Sequence, residues 1–150
     1  LSDLEKAKEG FVTVHHNLSI LKEMNDACPH TIAKHNDEVV GYALSMTKDF
    51  GDKIEVLKPM FLEISKIVTD EKYLVMGQIC IDKNYRKQGI FRGLYNFMKT
   101  EVCSNNFDII ITEIDIDNLR SINAHKAIGF EKLVDYKYGD KNWSVVSLKV

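Results

Sequence analysis

The spacing of apolar residues changes several times along this 150-residue chain, and each change marks an element. Leu1–Lys8 and Leu18–Met24 carry helical spacing, with Gly10 as a stop, and Phe11–Val14 between them alternates loosely. Thr31–Lys34 and Val39–Met46 are β-favouring runs on either side of the polar turn His35-Asn36-Asp37-Glu38, which predicts a hairpin. Gly41 inside the second run predicts a bulge or a close backbone approach. After a loop at Asp49–Lys53, Leu57, Met60, Phe61, Ile64, Ile67 and Val68 fall on one helical face, with Pro59 in the first turn. Tyr73–Ile81 is an apolar strand, a helix opens at Gly89 and runs to about Val102, and Ser104-Asn105-Asn106 breaks it.

Phe107–Ile114 is then the second strand of a βαβ unit, whose two strands run parallel. Leu119–Ala127 is a short helix closed by Gly129. Phe130–Tyr138 and Trp143–Val150 form a final hairpin. The whole pattern predicts one α/β domain over residues 1–150, with a mixed, mostly antiparallel sheet and helices on both faces.

Composition narrows the field. A hydrophobic content of 45% and a charged content of 28% suit a globular core. A net charge of −2 gives no general attraction for nucleic acid, so any basic site must be local. Cys28, Cys80 and Cys103 have no metal-ligand spacing and read as reduced thiols of a cytoplasmic protein, with Cys80 and Cys103 in the core. His15, His16, His30 and His35 read as surface residues, and no metal site is expected. No apolar run approaches the ~20 residues of a membrane span, so no membrane partner is expected. No signal peptide is visible, and the chain opens at Leu1 inside a helical pattern, as one lacking part of its N-terminal region would.

The most specific stretch is Ile79-Cys80-Ile81-Asp82-Lys83-Asn84-Tyr85-Arg86-Lys87-Gln88-Gly89-Ile90-Phe91-Arg92. It reads as a strand, a short basic loop and the start of an amphipathic helix. The first N–H groups of a helix have no intrahelical partner, and the helix dipole adds positive charge there. With Arg86, Lys87 and Arg92 around Gly89, the turn suits a phosphate-bearing cofactor.

That stretch resembles the pyrophosphate loop of the GCN5-related N-acetyltransferase (GNAT) family. A second signature of that family is matched by Asn118-Leu119-Arg120-Ser121-Ile122-Asn123-Ala124-His125-Lys126-Ala127-Ile128-Gly129-Phe130, one predicted strand later. The resemblance covers about Thr31 to Val150. It implies a splayed parallel strand pair and acetyl-CoA as co-substrate. Backbone N–H groups of Lys87, Gln88, Gly89, Ile90, Phe91 and Arg92 would hold the diphosphate, with Arg86 and Arg92 adding charge. Ile79 and Ile81 would offer backbone groups to the pantetheine arm, and Asn118 would contact that arm or cap its helix. Phe91 departs from the small residue usual in the family, so its ring must point away from the phosphates.

His125 stands where many members place a tyrosine that protonates the departing thiolate; it is a general acid or a packing residue, with Tyr136, Tyr138 or water as the other proton sources. No carboxylate lies on Tyr73–Ile81, which leaves Glu113, Asp115, Glu63 or a water chain as the general base. The implied activity is direct transfer of an acetyl group to an amine of a small molecule or peptide, with a homodimer left open. A non-catalytic acyl-CoA-binding module is the alternative. A nucleic-acid site at Arg86, Lys87, Arg92 and Lys99 lacks interleaved aromatic residues for stacking.

Overall fold

A computed structural model of the chain describes residues 16–69 and 71–150. The sequence-predicted helix at Leu1–Lys8 and the run Phe11–Val14 lie outside the described residues. Helix α1, Leu18–Ala27, begins at Asn17, whose side chain accepts the Ile20 N–H at 2.9 Å. Strands β1 (Thr31–His35) and β2 (Glu38–Met46) make the expected hairpin. Its turn residues Asn36 and Asp37 both take positive φ, which asparagine and aspartate tolerate best among residues with a side chain. Helix α2, Lys58–Ile67, carries Pro59 in its first turn and buries Met60, Phe61 and Ile64.

Strand β3 (Tyr73–Ile81) leads through a 3-10 turn at Lys83–Tyr85 to helix α3 (Ile90–Phe97). The sequence pattern predicts one helix to about Val102; instead the α-helix widens into a π-helix over Met98–Cys103. Strand β4 (Ile109–Asp115), helix α4 (Leu119–Ala127) and strands β5 (Glu131–Tyr138) and β6 (Lys141–Lys149) complete the order.

The six strands form one sheet in the order β1-β2-β3-β4-β6-β5, with every pairing antiparallel except β3 with β4. Helices α3 and α4 cover one face, where Tyr95, Met98, Ile110 and Phe130 are buried together. Helices α1 and α2 cover the other, over Met24, Met46, Ile64, Ile111 and Val145. This is the mixed, largely antiparallel α/β fold that the pattern predicts. Cys80 corrects one expectation: it is exposed, because its side chain points away from the face on which Ile79 and Ile81 pack. His30 corrects another. Its ring bridges Leu21 O at 2.9 Å and Ser45 N–H at 2.9 Å, tying α1 to β2. Among the described residues, no helix is long and apolar enough to cross a membrane, and no cluster of three potential ligands is arranged to hold a metal ion.

The parallel seam is short. Only Tyr73, Leu74 and Val75 pair with Ile109, Ile110 and Ile111; beyond them β3 and β4 part. The divergence begins beside a bulge, where Gly77 and Gln78 together face Leu44 of β2. At the apex the Thr112 hydroxyl donates to Met76 O at 2.9 Å, in a fully buried bond. Thr112→Val keeps the shape but leaves the Met76 carbonyl without that donor. The expected cost is about 1–3 kcal/mol, read as a lower urea midpoint with an unchanged m-value; a loss under about 0.3 kcal/mol would show that the hydroxyl does not pin the seam.

Candidate active site

Beyond the apex, the sequence of ladder bonds decides which backbone groups face the gap. The Asp82 N–H bonds Val40 O on β2 at 2.7 Å. Direction alternates along a strand, so Cys80 turns its backbone toward β2 while Ile79 and Ile81 turn theirs toward the gap. Their side chains pack on the α3 face of the sheet. The gap therefore presents a strip of backbone donors and acceptors with no strand of the described residues opposite.

The basic loop ends at the same place. Lys87 has φ +63° and Gly89 φ +82°, two left-handed residues around Gln88. The first bond that closes the helix is Gly93 N–H to Gly89 O at 2.9 Å, so the N–H groups of Ile90, Phe91 and Arg92 precede it. Lys87, Gln88, Gly89 and Arg92 are exposed, while Arg86 is half-buried. A Cβ on Gly89 would meet nothing within 4 Å, so the space in front of the helix terminus is open. Asn118, buried at the start of α4, accepts the Ser121 N–H at 3.3 Å and so caps its helix.

Phe91 and His125 sit behind this front. The Phe91 ring meets His125 and Tyr95 edge-on, with centroids 5.0 and 5.3 Å apart, and so turns into the core, away from the open space. His125 is 2% exposed. Its Nδ1 lies 2.7 Å from Ser121 O, a group that only accepts, so Nδ1 carries the proton. Its Nε2 then accepts from the Tyr95 hydroxyl at 2.7 Å. Burial pushes its pKa down to about 4, against a smaller upward pull from Ser121. This environment keeps the ring neutral and commits both nitrogens within the protein. Tyr95, which joins α3 to α4 through His125, was not singled out by the sequence pattern; its position four residues after Phe91 on the same helical face is the signal available.

The three carboxylates considered as bases stand differently on the opposite face of the sheet. Asp115 is 6% exposed and is held by Lys141 Nζ at 3.0 Å and by the Asp117 N–H. Glu63 on α2 pairs with Lys66 at 3.2 Å. Glu113 is half-buried, and burial raises its pKa to about 7 although a hydrogen bond donated by Tyr136 opposes the shift. Tyr138 is exposed at the end of β5. Tyr136 also lines a cavity of about 820 Å³ between the 3-10 turn at Lys48–Gly51, α2 and β5, whose wall includes Phe61, Leu62, Glu63, Tyr73 and Tyr138.

The model of the acetyltransferase (GNAT) family matches residues 3–130. The chain belongs to the GNAT family. Ard1 from Thermoplasma volcanium is 15% identical, with a TM-score of 0.69 over 96% of this chain and 86% of that one. The acetyltransferase yncA from Salmonella typhimurium, solved with acetyl-CoA, is 16% identical, with a TM-score of 0.61 over 88% of this chain and 70% of its own. The ribosomal-protein-S18-alanine N-acetyltransferase from Escherichia coli is 16% identical, with a TM-score of 0.52 over 77% of this chain and 64% of its own. At these identities the likeness is one of fold. No curated protein matches the sequence.

The buried histidine of this GNAT domain has a measurable signature. Its native pKa lies below the unfolded value of 6.5, so between pH 6.5 and 4 the unfolded chain binds a proton that the native chain does not. Its contribution to stability is therefore full above pH 6.5 and is lost as the pH falls. The gap in unfolding free energy between the protein and His125→Phe should shrink by about 3 kcal/mol from pH 6.5 to pH 4. A gap that stays constant over that range in urea titrations would mean that His125 is accessible and titrates normally.

Proposed function

We propose that this GNAT domain is an N-acetyltransferase that moves an acetyl group from acetyl-CoA directly to an amine of a small molecule or peptide. The observation that carries the reading is the open strand pair ending beside the free N-terminus of α3. An unpaired strip of strand amides calls for a ligand with amides of its own, and the helix terminus calls for an anion. Coenzyme A carries both, in its pantetheine arm and its diphosphate. The site fits: the Gly89 side is open, and the Phe91 ring is turned inward.

On this reading Ile79 and Ile81 hold the arm through backbone groups. The N–H groups of Lys87 to Arg92 hold the diphosphate, and Arg86 and Arg92 supply charge. Acetyl-CoA, when bound, contributes the acetyl group as an activated thioester. The protein's part is to hold the acceptor in line with it, since positioning alone removes much of the barrier. The cavity bounded by Phe61, Leu62, Glu63 and Tyr136 takes the acceptor, and Glu113 is the general base because its pKa of about 7 suits proton uptake near neutrality. We assign His125 to positioning α3 against α4 and not to proton donation, because Ser121 and Tyr95 already occupy both ring nitrogens.

Acetyl-CoA at 100 times its dissociation constant should stabilise the protein by about 2.7 kcal/mol, seen as a rise in melting temperature. Gly89→Val should reduce that rise, because the branched side chain stands in the open space before the helix terminus. It should also lower the melting temperature without ligand, because the left-handed φ resists a β-branched residue. A screen for acetyl-CoA consumption across polyamines, amino acids, aminoglycosides and peptide N-termini then identifies the acceptor. Binding without turnover on any amine would favour a non-catalytic acyl-CoA-binding module.

A further inference from the structure

Glu113 and the acceptor cavity are connected through one side chain. Tyr136 stands in the cavity wall, and its hydroxyl donates to Glu113 Oε2. Among the described residues that line the cavity, no other has a hydrogen bond to Glu113. The phenol spans from edge strand β5 across β6 to β4, where Val145 of β6 pairs with Glu113 and is itself fully buried. The apolar bed under the phenol keeps water from competing for the carboxylate on that side.

We propose that Tyr136 is a catalytic residue of amine acetylation, taking the proton of the attacking amine on its oxygen while passing its own to Glu113. This rests on the amine-acetylation reading above. As the amine nitrogen bonds to the acetyl carbon, its N–H bond breaks and a new O–H bond forms on Tyr136. The original O–H of Tyr136 breaks, and its proton ends on the Glu113 carboxylate. The carbon–sulfur bond breaks with its electron pair on sulfur, so the charge leaves with coenzyme A, and Glu113 later returns its proton to solvent. Tyr136 keeps one proton throughout, so its raised pKa, which comes from burial first and Glu113 next, does not obstruct the exchange.

The surroundings favour this direction of transfer. Glu63, facing Tyr136 from α2, adds to the upward shift of the phenol's pKa and so favours its protonated form. Asp115, on the same face of β4 as Glu113, is already engaged by Lys141 and the Asp117 N–H, and the phenol's hydrogen bond goes to Glu113.

The test compares Tyr136→Phe, Glu113→Gln and the double variant on the amine that the screen identifies. Each single variant should lower kcat by roughly 10²–10³ with the KM for the amine within about threefold, and the double variant should be no more than about threefold worse than either. The rise in melting temperature with acetyl-CoA should be unchanged in all three. A second readout needs no turnover: the Glu113 carboxyl, followed by carbon-13 NMR, should titrate at higher pH in Tyr136→Phe, because the phenol's hydrogen bond favours the charged form. Tyr136→Phe with kcat within threefold of the parent, multiplicative losses in the double variant, or an unmoved Glu113 titration would each overturn the relay while leaving acetyl transfer standing. Wild-type protein that neither binds acetyl-CoA nor turns over any amine would overturn both.

Discussion

A strand's amides call for partners, and among the described residues this sheet leaves several of those on β3 without a strand opposite. Three residue pairs join β3 to β4, and the Thr112–Met76 bond ends the seam. Every other feature of the site is arranged around that interruption. The bulge at Gly77–Gln78 turns β3 outward, so Ile79 and Ile81 face open space instead of β4. The strand then delivers the chain, through one 3-10 turn, to a helix whose first N–H groups point at the same opening. In sheet terms, a ligand lying there would occupy the place of a missing strand.

The sheet also separates tasks. On one face, α3 and α4 meet through a cluster of Phe91, Tyr95, His125 and Phe130, whose ring centroids lie 5.0 to 5.4 Å apart. Edge-on aromatic contacts of this kind are worth about 0.5–1.5 kcal/mol each beyond area burial, and they fix the two helices whose N-termini border the opening. On the other face, the polar network of Glu113, Tyr136 and Glu63 borders a cavity. Strand β4 serves both sides because its residues alternate: Ile110, Thr112 and Ile114 look toward α3, and Ile111, Glu113 and Asp115 look toward α2.

The fold was legible because its elements are locally consistent. Helical spacing from Leu57 to Val68, the turn at Asn36-Asp37 and the apolar run Tyr73–Ile81 each match the structure within a few residues. The loop from Arg86 to Arg92 was legible for the same reason, since glycine and positive charge at a helix start have a local cause. What escaped reading depends on partners far away in sequence. The fate of His125 is decided by Tyr95, thirty residues earlier, and by the carbonyl of its own preceding turn. Cys80 looks like a core residue in a linear apolar run, but the pleat puts it outside. Thr112 carried a weak signal as the hydroxyl within Ile109–Ile114. The widening of α3 at Met98 has no counterpart in the apolar spacing, which suits an α-helix to Val102.

Two titrating groups, one under each face, pull in opposite directions on how folding responds to acidity. Between pH 4 and 6.5 the native state withholds a proton that His125 would bind when unfolded. Between pH 4.5 and 7 it retains one that Glu113 would otherwise release. Where the two ranges overlap, folding sheds one proton and gains another, so these residues leave the net proton count unchanged. By linkage, the two residues together then add no slope of stability with pH. The side chains never touch, yet they act as counterweights.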